Sequence, residues 1–175
     1  MVRFALEALA KTIGRTVHPE KLFTGWQSLL GFKIGWALPA QVKKLYIDFY
    51  IDPKNSEVIM MQATGLTECH MHKTGATTFM VLGREHGIAP PSGGTFMGDF
   101  DPTSYEQKLE LIRHRSGEVF TVPAGKIHAF AADLGGSLTL IGIVNPKIRT
   151  GNEFDVVPFD YVSQSDPSRV RLKAA

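Results

Sequence analysis

Cysteine is nearly missing from this chain: Cys69 is the only one among 175 residues, which excludes an internal disulfide. Long apolar runs are missing too. No stretch of about 18 apolar residues occurs, so no membrane-spanning helix is expected. Glu7 breaks the apolar N-terminus, and no small-residue cleavage site follows a long apolar core, so no signal peptide is read there. A cytoplasmic protein is the resulting expectation. Charge of one sign is not in excess either. Nineteen Lys and Arg stand against 17 Asp and Glu, a net charge of +2, and no run of five basic residues points to nucleic acid. The basic end "SRVRLKAA" is read as a solvated terminus. What remains is 43% hydrophobic and 21% charged, proportions of a globular protein, at a length that suits one domain with a real core.

Residues 3–13, "RFALEALAKTI", carry Leu6, Leu9 and Ile13 at helical spacing, which predicts a helix ending near Gly14. The following stretch to about residue 40 has apolar and aromatic residues without a clean period. It is read as an irregular or short helical part of an N-terminal extension, residues 1–40, packing on the main domain or at a dimer interface through Trp26 and Trp36. From residue 43 the period changes. "KKLYIDFYIDP", "SEVIMMQAT", "GLTECHMH", "ATTFMVLG", "YEQKLELIRHR", "GEVFTVPAG", "HAFAADL" and "SLTLIGIVN" read as short strands with Gly and Pro at their joints, the pattern of an all-β sandwich or barrel. That barrel is assigned to residues 41–160, and 161–175 to a C-terminal tail. Residues 83–104 form the longest stretch without strand pattern, either a lid over the barrel mouth or a tolerated insertion.

The chemistry gathers in "ECHMHKTGATTFMVLG". On a strand, His70 and His72 project from one face, about 7 Å apart, a ready pair of metal ligands or simply two satisfied histidines. Downstream, "GEVFTVPAGKIH" turns at Pro123 and Gly125 and re-enters with His128, placed to meet the first pair from a facing strand. Cys69 is out of phase with both histidines and should be a buried, inert thiol pointing away.

These two segments resemble the two motifs of the cupin superfamily. The second runs Gly117, five residues, Pro123, one, Gly125, two, His128 without a departure; the first is partial. The resemblance covers roughly residues 43–147. It implies an all-β double-stranded β-helix, or jelly roll, with one divalent metal held deep in the barrel by His70, His72 and His128. The family's first motif usually adds Glu four or five residues after its second histidine, where this chain has Ala76 or Thr77. Ala132 stands where the second motif often has Asn. The site therefore resembles a three-histidine set without its carboxylate, as in some cupin dioxygenases, and "HMHKTGATTFMVLG" resembles the 2,4'-dihydroxyacetophenone dioxygenase group.

Thr77, Phe79 and Val81 share the parity at which that Glu would point inward, and Phe130 shares parity with His128. They line an apolar pocket beside the metal or form ordinary barrel core. Met61 belongs with them; Met60, Phe120 and Tyr105 are weaker candidates. His86 is a weak candidate for acid–base work or a fourth ligand, Thr77 a second weak catalytic candidate, and Glu85 and Glu106 are the nearest replacements for the absent carboxylate. His114 is read as an exposed turn residue and His18 as structural. Expected function follows in order: a non-haem Fe(II) dioxygenase cleaving a C–C bond in a small oxygen-rich substrate; a metal-dependent isomerase, lyase or hydrolase using Zn, Ni or Mn; a non-catalytic small-ligand binder; or a barrel that has lost its metal. A small-molecule substrate and a homodimer are the expected partners, with neither nucleic acid nor membrane.

Overall fold

The computed structural model describes residues 2–15, 23–29, 32–37, 54–145 and 155–174. Among these residues, helix α1 (Val2–Arg15) is followed by thirteen strands: β1 (Phe23–Leu29), β2 (Phe32–Ala37), β3 (Glu57–Ala63), β4 (Cys69–His72), β5 (Ala76–Val81), β6 (Gly93–Asp99), β7 (Gln107–Lys108), β8 (Glu110–Arg113), β9 (Val119–Val122), β10 (Lys126–Ala132), β11 (Leu138–Asn145), β12 (Val156–Ser163) and β13 (Asp166–Leu172). A short 3₁₀ turn spans Arg84–His86. Two sheets result, in the orders β1-β2-β3-β11-β5-β9 and β7-β13-β12-β4-β10-β6-β8. Every pairing is antiparallel. Two facing sheets whose successive strands alternate between them make a jelly-roll barrel.

The two faces of the first sheet follow from the period of two. Ile59, Met61, Phe79, Val81, Val122, Leu140 and Val144 point inward and pack with Phe130 of the second sheet. Val58, Met60, Met80, Ile141 and Ile143 point outward, where they would meet water were they not covered by Ala5, Leu6, Leu9 and Ala10 of α1. This helix is thus a lid on the barrel's back, and its apolar stripe explains why it forms. Gly142 serves the inward face: a Cβ there would lie 2.8 Å from the Phe79 ring.

The second sheet curls on itself. Its edge strands β7 and β8 are separated in the chain by Leu109 alone, yet β7 pairs with β13 and β8 with β6. The Leu109 amide also donates to Ser168 O at 2.7 Å. Inside the curl lie Leu109, Cys69, Met71, Phe96, Ile127, Phe159 and Val170.

Four expectations are corrected. The stretch read as irregular before residue 40 contains β1 and β2, which extend the first sheet beyond β3; Gly25, Gly31 and Gly35 interrupt its alternation in the sequence. Residues 83–104 are neither lid nor insertion, because they contain β6, paired on both sides by β10 and β8. Its glycines hide the strand pattern, and close backbone approach demands two of them: a Cβ on Gly94 would sit 2.2 Å from Ile112 O, and one on Gly98 2.3 Å from Lys108 O. "YEQKLELIRHR" is two strands rather than one, bent at Leu109. The basic terminus, expected as a solvated tail, is β13, with Val170 buried between exposed Arg169 and Arg171. Pro158 and Pro167 within β12 and β13 disguise both as non-strand. The strand expected over residues 43–53 lies outside the described residues, as do His18 and the side chains of Trp26 and Trp36.

Leu109→Ala should cost about 2–5 kcal/mol in denaturant unfolding, since the buried leucine joins the two edges of one sheet. Leu111→Ala, two residues away on exposed β8, should change stability by less than about 0.5 kcal/mol. Equal effects would contradict the closure of the sheet around Leu109.

Candidate metal centre

Strand β4 lies between β12 and β10, and its register decides the site. His70 sits directly opposite His128, so the two side chains share a face. His72, two residues along, shares it too. Opposite parity sends Cys69 and Met71 to the other face. The β10 histidine owes its register to the turn before it. Pro123 O accepts from the Lys126 amide at 3.3 Å, and Gly125, at φ +78°, takes a conformation that favours glycine. The Gly125 amide then donates to His72 O at 2.8 Å, tying this turn to the end of β4.

The three rings gather closely, with centroids 4.4 Å apart for His70–His128, 4.9 Å for His70–His72 and 5.6 Å for His72–His128. One ligand nitrogen from each lies within 4.8 Å of the others. Nitrogens bound to one ion at about 2.1 Å sit ~3–4 Å apart, so a small side-chain rotation completes the set. Each ring has its Nδ1 turned toward an oxygen of the surrounding shell. His128 Nδ1 is 3.0 Å from Lys126 O, His70 Nδ1 3.4 Å from Glu68 O, and His72 Nδ1 3.3 Å from Asp155 Oδ2. Such outer partners fix the tautomer and leave Nε2 as the ligand atom. The last of them is close enough for charge attraction but misaligned for a hydrogen bond, which leaves His72 Nδ1 a buried atom without one.

Electrostatics favour neutral rings. Burial lowers His70 to about 4, helped by the His72 charge. Burial also lowers His72, against the pull of Asp155. His128 is pushed well below its ordinary value by burial and by His70. Neutral imidazoles bind metal without first losing a proton. The donor set fits Fe, Zn, Ni or Mn without choosing among them.

Other expected site residues fall in distinct places. Met61, Phe79, Val81 and Phe130 are buried in the barrel's inner cluster, and Thr77 is buried on the same parity of β5. Phe130 meets His128 at 5.9 Å and Phe79 at 5.2 Å, and Phe79 stacks on Phe120 at 5.5 Å. Met60 faces α1 instead, and Tyr105 is exposed. Glu85 binds Ser116, Glu106 pairs with Arg169, and His86 Nδ1 accepts from the Gly83 amide at 3.1 Å; none joins the histidine group. Cys69 is buried, and desolvation pushes its thiol up to about 12.

His114 reverses its expectation. It is buried, not exposed. Its ring stacks on Phe120 at 4.0 Å, with Nε2 2.8 Å from Thr95 Oγ1 and Nδ1 3.1 Å from Glu118 Oε1. Thr95 lies opposite Phe130, so this polar group faces the barrel interior one side-chain layer below His128. Asp155 was not singled out in the sequence at all. It is buried, and its Oδ1 accepts from the Thr74 amide at 2.7 Å and the Thr74 hydroxyl at 2.8 Å. Burial would raise its carboxyl, but the Thr74 bonds, His72 and the Gly75 amide outweigh this and hold it low. No sequence motif marks Asp155; only the pairing of β12 with β4 brings it there.

No family model matches this sequence, and no curated protein matches it. Solved structures do. Pac13 of Streptomyces, described as a nucleoside dehydratase and seen with uridine, superposes with a TM-score of 0.50 at 16% identity, covering 83% of this chain and 91% of its own. CapF of Staphylococcus aureus, a capsular polysaccharide assembling protein, gives 0.51 at 15% identity over 77% of this chain and 33% of its own. The fold is that of the cupins.

A histidine held neutral when folded takes up its proton only on unfolding. Between the lowered value of about 4 and the ordinary 6.5 for His70, the unfolded chain therefore binds more protons. This stability is full above about pH 6.5 and lost as pH falls toward about 4. The urea midpoint of metal-free protein should drop across that window, and His70→Gln should flatten the drop. Parallel profiles for the two proteins would contradict a His70 held neutral in the fold.

Proposed function

We propose that this cupin is a metal-dependent enzyme of the three-histidine kind, a dioxygenase that cleaves a C–C bond in a small diketone, hydroxyketone or phenolic substrate. One observation carries the reading: three clustered imidazoles held neutral, His72 and His128 buried and His70 half-buried, with no carboxylate among the described residues in their group. Such a set leaves a bound ion its full +2 charge and open positions, which favours a substrate presenting two oxygens. When bound, the ion would supply Lewis acidity and, as iron, one-electron chemistry with O₂.

The chain's own residues do the rest. His70, His72 and His128 hold the ion. Phe130, Phe79 and Phe120 form an apolar wall that keeps water out and accepts a flat substrate, with Thr77, Val81 and Met61 completing it. None of these groups is asked to remove a proton. In the overall reaction both atoms of O₂ end in the two fragments of the cleaved substrate.

A second reading is favoured by His114. A metal-dependent lyase or isomerase needs a placed base, and this histidine, oriented by Glu118 inside the barrel, is of the right type. The first reading expects His114→Asn to keep oxygen consumption; the second expects turnover without oxygen that this variant loses.

Protein purified without chelators and without a histidine tag should carry near one iron per chain. It should consume oxygen with a 1,3-diketone, a 2-hydroxyketone or a catechol. His128→Ala should lose both the metal and the uptake. Uptake fully retained in that variant would sink the dioxygenase, and turnover under argon would move the assignment to the lyase.

A further inference from the structure

We propose that Asp155, gripped by Thr74, is an outer carboxylate of the metal centre: it acts through His72, making that imidazole a stronger donor in a site that has no ligating Glu. The proposal rests on the metal reading above and concerns how the site gains its affinity.

Geometry carries it. Position 76 or 77, where the family's Glu would stand, holds Ala or Thr. Two residues after His72, Thr74 instead turns its amide and its hydroxyl onto Asp155 Oδ1. Both carboxylate oxygens are thereby assigned, Oδ1 to Thr74 and Oδ2 toward His72 Nδ1 at 3.3 Å. Backbone pairing fixes the approach, since Asp155 O accepts from the Lys73 amide at 2.9 Å and Val156 lies opposite His72. His72 Nδ1 is buried without an aligned hydrogen bond, an unsatisfied state that a small ring rotation toward Asp155 would end. The same kind of rotation brings the three ligand nitrogens to binding distance. On this proposal, metal binding at Nε2 and the Nδ1–H to carboxylate bond support each other through the same ring. This also gives a use to Thr74 of "HMHKTG", which the ligand set alone leaves unexplained.

The chemistry has a sign. A carboxylate accepting from Nδ1–H makes the opposite nitrogen a better donor and fixes the tautomer that frees it. Asn at 155 would keep the shape but lose the charge. Its amide could donate to Nδ1 and drive the ring proton onto the ligating nitrogen. The other two histidines offer only backbone carbonyls at Nδ1, so this is the one charged partner of the triad among the described residues.

The test is Co(II) binding by the full chain, followed by the visible absorption of the ion and by competition with a chelator, with no substrate present. Asp155→Asn should weaken binding by ~10–100-fold while leaving the unfolding midpoint of the metal-free protein near that of the parent. Thr74→Val, which removes one of two bonds to the carboxylate, should weaken it by a smaller factor in the same direction, and it keeps the question answerable if Asp155→Asn folds poorly. Parent and variants binding Co(II) equally would overturn the role of Asp155 and leave the metal centre standing. A metal-free midpoint that falls with affinity unchanged would make Asp155 a structural residue only. A parent that binds no Co(II) would overturn both this proposal and the metal reading.

Discussion

The structure depends on the register of β4 against its two neighbours. One pairing, His70 opposite His128, sets two ligands on a common face and sends Cys69 and Met71 to the other. A slip by one residue would exchange those faces. Thiol, thioether and aliphatic groups would enter the barrel, and the imidazoles would be driven into the apolar curl around Leu109. The penalty for burying polar rings without partners there is what makes the register unique. Neighbouring elements reinforce it. The Pro123–Gly125 turn docks its amide on His72 O, and β12 lines up Pro158 with His70 and Val156 with His72.

The site was legible where local geometry alone determines it. The alternation of His70 and His72 and the spacing from Gly117 to His128 can be read without knowing what lies across the sheet. The same holds for the inward parity of Phe79 and Val81. Tertiary partners had to be seen to be known. Asp155 is 83 residues from His72 in the chain's numbering and enters through strand pairing. His114 sits in "RHRSG", a stretch that reads as an exposed turn, and is buried because Thr95, Phe120 and Glu118 close around it. Strands were missed for one physical reason: β6, β12 and β13 carry Gly or Pro where close backbone approach or pairing tolerates them, and those residues erase the signal of period two.

Inside the barrel, polarity is rationed to two levels. At the upper level the three imidazoles stand with Asp155 behind one of them. One layer down, His114, Thr95 and Glu118 form a second group, and a run of rings from His128 through Phe130, Phe79 and Phe120 to His114 connects the two. The lower group is internally paired, His114 with Thr95 and with Glu118, as a low-dielectric interior requires of polar atoms it retains. Among the described residues, the one buried histidine nitrogen without an aligned bond is at the upper level. A histidine kept only for packing would be expected to have its nitrogens satisfied, as His114 has. Incompleteness at His72, with a carboxylate waiting 3.3 Å away, distinguishes a site poised to take a ligand from a core that is already finished.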